Sequence, residues 1–280
     1  RILAASSPTG PAFEGAQISS GQRATPGAIE RVRIDPKDGK ARFKVIGVDA
    51  WSDEEEFSNE ILKTGVTGIC GSGIIEVIAE LLLARLMTAD GVIGGEGTNS
   101  SKYIESDGRT FSYVLYEGSD IDKRILITQN DVRAVQLAKA ALYAGIRLLM
   151  DYLETDQIDS IQLAGAFGSH IDTMRATILG LIPDCRKEKV SSVGNAAGSG
   201  ALLALLSQKS RREIQKTVEN IEKIEIATEP AFQEHFIEAM AVPHKTAEYP
   251  FLNTYVDLPP KSELTSLKRT RRTQRKKKDD

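Results

Sequence analysis

The chain has 280 residues, 41% hydrophobic and 27% charged, with a formal net charge of −3, enough for one large or two medium domains with a sizeable core. Eight of its 36 Lys and Arg residues fall in the run Lys268–Lys278, which leaves an acidic body and argues against a nucleic-acid-binding surface on the folded part. Two cysteines, Cys70 and Cys185, are too few for a disulfide framework or a four-thiolate cluster, and no apolar run reaches the ~20 residues of a spanning helix, so the sequence reads as cytoplasmic, with no membrane partner and no metal site.

Residue 1 is Arg, and Ile2 to Ala5 reads as a strand entered partway along, so the chain is expected to be a piece of something longer. Ser6 to Glu30 is a loop punctuated by Gly and Pro and rich in hydroxyls. The runs "AIERVRI" and "ARFKVIG" flank Asp35-Pro-Lys-Asp-Gly39 and predict a hairpin. "WSDEEEF" is expected to be an exposed acidic loop, and Gly65 to Gly73 to open a helix from Ile74 to about Met87, apolar nearly all round and hence buried. A glycine-rich connection follows from Gly91 to Ser101, then two strands, "TFSYVLY" and "ILITQ".

At Thr128 the period changes. "QNDVRAVQLAKAALYAGIRLLMDYL" places Val132, Val135, Ala138, Leu142 and Ile146 on one helical face, with Thr128 or Asn130 as the cap. "SIQLA" then runs as a strand into Gly165-Ala-Phe-Gly168 and a helix over about 172–180. "SSV" repeats the pattern, entering the turn Gly194 to Gly200 and the helix "ALLALLSQ". A helix from Arg211 to Ile221, the run "KIEIAT" and a last helix from Phe232 to Met240 complete the series. Beyond His244 no period is visible, and residues 246–280 read as an extension with a disordered basic tail.

Three glycine turns, Gly68 to Gly73, Gly165 to Gly168 and Gly194 to Gly198, leave main-chain N–H groups open to a phosphate or a ring where a strand gives way to a helix. None ends in the Gly-Lys-Ser/Thr of a P-loop, and a turn of this kind taken singly is more often a tight strand-to-helix packing turn than a ligand site, although three in one chain strengthen the ligand reading.

The segments "SSPTGPAFEG", "GICGSGIIE", "ITQNDVRAVQLAKAAL" and "LAGAFGSHID…ATILGLIPD…VGNAAGSGA" together resemble the reductive activators of corrinoid proteins, in the superfamily of acetate and sugar kinases, actin and heat-shock chaperones. The resemblance runs in order over residues 1 to about 250. It implies an α/β, ribonuclease H-like or actin-like ATPase lobe, a mixed sheet flanked by helices. Residues 1–245 would be the second lobe, with a β-rich insertion at roughly 28–127. It also implies ATP and Mg in a longer parent, a two-iron ferredoxin cluster in that parent but not in this chain, and a cobamide carried by a partner corrinoid protein. The parent would return cob(II)amide to cob(I)amide, as a homodimer by analogy.

By the same resemblance Ser6 and Ser7 lie near the cobalt and Glu14 orients a metal-bound water. Gly165, Ala166, Phe167 and Gly168 form the adenosine turn flanked by Gly194 and Asn195, and Gly71, Ser72 and Gly73 open the helix that closes the lobe. The phosphate-binding aspartate motifs of the superfamily are absent from these residues, so the chain alone is expected to hydrolyse ATP poorly. A non-catalytic module gripping a corrinoid or methyltransferase partner is the alternative. A small-molecule kinase is weaker, because no aspartate stands beside a phosphate loop.

Overall fold

The computed structural model describes residues 1–118, 124–165, 168 and 170–259. Ala166, Phe167 and the run Lys268–Lys278 lie outside the described residues. The architecture is mixed α/β, with short sheets flanked by helices.

The expected hairpin forms from β2 (Ala28–Ile34) and β3 (Ala41–Val45), antiparallel with Val32 opposite Phe43. Asp35 closes its turn, its carboxylate accepting from the Lys37 N–H at 2.8 Å, and Gly39 takes the left-handed conformation at φ +76°. The start of β2 also pairs in parallel with β4 (Gly68–Ile69). Past Ile29 that edge meets no strand among the described residues, and α2 (Gly71–Leu83) lies across it instead. Glu76 and Glu80, one turn apart on α2, accept the Val32 and Ile34 N–H groups at 2.9 and 3.1 Å. α2 begins three residues earlier than its apolar pattern suggests, because Gly71, Ser72 and Gly73 already lie in its first turn.

The acidic stretch after Trp51 is exposed and leads into α1 (Phe57–Glu60), a single turn. β5 (Ile104–Asp107), β6 (Thr110–Tyr116) and β7 (Ile125–Ile127) form an antiparallel meander. It joins the hairpin through Phe43, whose ring meets Tyr116 edge-on at 5.7 Å, and through the Tyr113 hydroxyl, which donates to the Gly39 carbonyl at 2.8 Å.

α3 (Gln129–Tyr152) runs 24 residues and starts with a capping box, in which Thr128 caps the Asp131 N–H and the Asp131 carboxylate accepts from the Thr128 N–H. Asn130 is therefore not the cap. Val132, Val135 and Ala138 are buried on its inner face, as the period requires, while Leu142 and Ile146 are half-buried.

β8 (Ile161–Ala164) and β9 (Val190–Gly194) pair in parallel around the crossover helix α4 (Thr173–Leu179), and β1 (Ile2–Ala4) pairs in parallel with β10 (Ile221–Lys223). Like α2, the helices after β9 start earlier than their residue patterns suggest. α5 (Ala196–Leu206) absorbs most of the third glycine turn, and α6 (Gln208–Glu219) begins at a Ser207 cap. "KIEIAT" gives only the end of β10 and a 3-10 turn. α7 (Pro230–Glu238) is followed by a segment over 239–256 that crosses α3 and α4. Along it Gln136 donates to the Met240 carbonyl at 2.7 Å, Lys139 to the carbonyls of Ala241 and Pro243, and Asp184 accepts from the Phe251 and Leu252 N–H groups at 2.7 and 3.0 Å. One apolar cluster unites α2, the hairpin, the meander, α3, α4 and this segment.

Candidate functional site

The loop 6–24 is built to a fixed shape. Ala12–Glu14 forms one 3-10 turn, which ends at Gly15 with φ +82°. A side chain on Gly21 would overlap the Gly15 carbonyl, so the loop crosses itself where only glycine allows. Its far end is laced to β4, with the Gln22 N–H donating to the Ile69 carbonyl and the Ile69 N–H to the Ser20 carbonyl, both at 2.9 Å.

This loop, the first residue of α2, the end of β8 and Gly168 together wall a cavity of about 800 Å³, within the range that takes a nucleotide-sized ligand. Its floor is apolar, from Leu142 on α3, Leu163 on β8, and Ile171, Leu181 and Ile182 around α4. Small residues, Gly15, Gly71, Ala164 and Gly168, bring main chain to its surface. Its polar groups include Thr9, Gln22 and Gln162, and the charged residues among those lining it are Glu14 and Arg23. An apolar floor under a few polar groups suits a flat ring with an anionic substituent, the ring against Leu163 and Gly168 and the anion toward Arg23.

Glu14, Gly71 and Gly168 line this cavity. Ser7 is half-buried against α3 and Ser6 is exposed; neither is part of the lining. Ser7 sits so close to α3 that a side chain on Gly145 would overlap its hydroxyl. Ser72 is buried, its hydroxyl 3.3 Å from the Cys70 sulfur, and Gly73 touches the hairpin where a side chain would run into the Ile29 carbonyl. Gly165 donates its N–H to the Gly194 carbonyl at 2.7 Å, tying the second and third glycine turns together. Asn195 caps α5, accepting from the Gly198 N–H at 2.9 Å.

Phe13, Gln22, Arg23 and Gln162 line the cavity without having been singled out by residue pattern. Only their place in a loop bounded by glycine and proline, or on a strand edge, hinted at them. The two cysteines lie on different elements and are both buried, Cys70 donating to the Ile29 carbonyl at 3.4 Å and Cys185 to the Ile158 carbonyl at 3.6 Å. Burial pushes the Cys185 thiol up, away from the thiolate form that binds iron. Among the described residues no group of three or more His, Cys, Asp or Glu is placed to hold a metal. An iron–sulfur cluster does not fit this chain.

The profile of a family described as the C-terminal domain of RACo, the ASKHA domain, matches residues 1–253. A corrinoid activation enzyme, RamQ of Eubacterium limosum, is 38% identical over 246 residues, 85% of this chain and 39% of that protein. A [Co(II) methylated amine-specific corrinoid protein] reductase of Methanosarcina barkeri is 27% identical over 252 residues, 85% of this chain and 42% of its own length. A solved structure titled as a reductive activator for corrinoid, iron-sulfur protein superposes with a TM-score of 0.70 at 33% identity, covering 86% of this chain and 36% of that one. The chain thus spans about two fifths of the length of the curated relatives it matches.

Proposed function

Since the chain belongs to the family of C-terminal ASKHA domains of the RACo type, we propose that it is the nucleotide-binding and partner-facing part of an ATP-dependent corrinoid activator. In this reading residues 1–245 are the second lobe of the ATPase, with the strands between 28 and 127 as its insertion. One observation carries the proposal: a single cavity joins the loop 9–24 to the start of α2, the end of β8 and Gly168.

The residues present fit a nucleotide. Leu163, Ala164 and Gly168 offer main chain and apolar surface to a base and ribose, and Arg23 a cation to a phosphate. Bound ATP with Mg supplies the free energy that drives an otherwise uphill electron transfer. Polypeptide outside this chain supplies the electron from a two-iron cluster and the remaining phosphate contacts. That one electron would convert the Co(II) of the partner's cobamide to Co(I). The exposed Ser6, ahead of the cavity rim, is the one of the two serines free to meet that partner, while the Ser7 hydroxyl packs against α3 at Gly145. The reaction belongs in a reducing cytoplasm. No helix among the described residues is long and apolar enough to cross a membrane. A homodimer is the assembly we expect, and sedimentation velocity reads it.

Calorimetric titration of a non-hydrolysable ATP analogue tests the proposal. The chain should bind it, and Gly168→Val should weaken binding at least about ten-fold, because a Cβ there would stand 3.1 Å from the Ala164 carbonyl and the branched side chain would push against the main chain of Leu163 and Ala164 where they line the cavity. Equal affinity of the two proteins removes the cavity from the nucleotide site. The packing of Ser72 and Gly73 against neighbouring elements favours a second reading, a module that grips its partner without nucleotide. Partner binding to the parent that is indifferent to ATP selects it.

A further inference from the structure

Asp131 is 2% exposed and its carboxylate serves two elements at once. One oxygen, Oδ2, accepts from the Thr128 N–H at 2.8 Å and completes the cap of α3. The other, Oδ1, accepts from the Ser19 N–H at 2.7 Å and the Ser19 hydroxyl at 3.0 Å, 112 residues away in sequence. A buried carboxylate needs hydrogen-bond donors at both oxygens, and the capping box supplies only one of them. Ser19 fills the other.

The same helix holds the other end of the loop, where Gly145 admits the Ser7 hydroxyl. Residues 131 and 145 of one α-helix lie about 21 Å apart along its axis. The loop is therefore stretched along α3 between two contacts, and Phe13, Glu14, Gly15 and Ala16, which lie between them, form part of the cavity rim.

We infer that Ser19 and Asp131 are positioning residues, fixing the rim loop in its ligand-ready shape from the N-terminus of α3. This rests on the nucleotide reading above. Ser19→Ala removes the hydroxyl's bond to Asp131 and its 3.4 Å contact with the Thr128 hydroxyl, but keeps the Ser19 N–H bond to Asp131 and both hydrogen bonds of the Thr128–Asp131 cap, so loop order is separated from helix capping. A hydrogen bond to a charged group is worth about ten-fold in local opening. Hydrogen–deuterium exchange of the ligand-free chain should show amides of 12–18 exchanging about ten-fold faster in Ser19→Ala. Its melting temperature should stay within about 2 °C of the parent's. The affinity for the non-hydrolysable ATP analogue should fall about five-fold, and Ser19→Thr, which keeps the hydroxyl, should restore both. Unchanged exchange overturns the anchor, and faster exchange with unchanged affinity overturns the positioning role. If the unaltered chain does not bind the analogue, it is the nucleotide reading that fails, and the exchange measurement alone decides the anchor.

Discussion

Glu76 and Glu80 act in place of a strand. Beyond Ile29 the edge of β2 has no neighbouring strand among the described residues, and these two side chains receive the N–H groups that a ladder would have paired. Each is also held by arginine: Glu76 by Arg31 at 2.8 Å and by Arg33, and Glu80 by Arg175 at 2.8 Å. Asp172, between Arg33 and Arg175, closes the chain of charges from hairpin to α4. Glu76 is fully buried, so Glu76→Ala takes the acceptor from the Val32 N–H and the Arg31 guanidinium and leaves Arg33 with Asp172 as its carboxylate partner. It should cost about 3–5 kcal/mol in chemical unfolding. The sequence shows two glutamates in a helix otherwise apolar all round, but not that their partners are main-chain donors of a strand more than 40 residues earlier. A second buried charge gives a pH signature. Burial pushes the Lys139 amine well below the ordinary 10.5. Between that lowered value and 10.5 the unfolded chain binds more protons than the folded one, so stability rises with pH across the window and is lost as pH falls. Lys139→Met should flatten the stability–pH slope there by up to about one proton equivalent, read by denaturant melts at several pH values.

At the level of elements, the hairpin and α3 were legible because their signals are local: a Pro and Gly turn between alternating runs, and a 3.6-residue period behind a cap. The helix starts were less so. Glycines at 71, 73 and 198 read as loop, yet they lie inside first turns, since tertiary contact overrides their poor propensity. Gly73 and Gly200 separate these effects. Helix propensity favours alanine at either position by about 1 kcal/mol. At Gly73 a methyl group would run into the Ile29 carbonyl, and overpacking of about 1–3 kcal/mol wins, so Gly73→Ala should lower the melting temperature. At Gly200 a methyl group meets nothing within 4 Å, and Gly200→Ala should raise it by about 2 °C. The candidate site was only half legible for a related reason. Glu14, Gly71 and Gly168 stood out as loop and turn residues, while Arg23, Phe13 and Gln162 reach the cavity only through the crossing at Gly15 and Gly21 and the direction of the β8 edge.

Across the whole molecule the apolar surface is unevenly covered. α2 is buried on nearly every side, whereas Leu202, Leu203, Leu205 and Leu206 of α5 are each more than half exposed. A patch of that kind takes up hydrophobic dyes. The chain should enhance anilinonaphthalene sulfonate fluorescence, and the double variant Leu205→Gln with Leu206→Gln should reduce the signal while leaving the melting temperature within about 2 °C. The opposite case is the segment 239–256, whose main chain is gripped by Gln136, Lys139 and Asp184 and which buries Val242, Tyr249 and Leu252. Those three grips come from residues synthesised well before it. During translation, then, the flank of α3 must wait uncovered until the ribosome has released the stretch around Leu252, and a nascent chain halted earlier would offer chaperones a ready-made apolar seam.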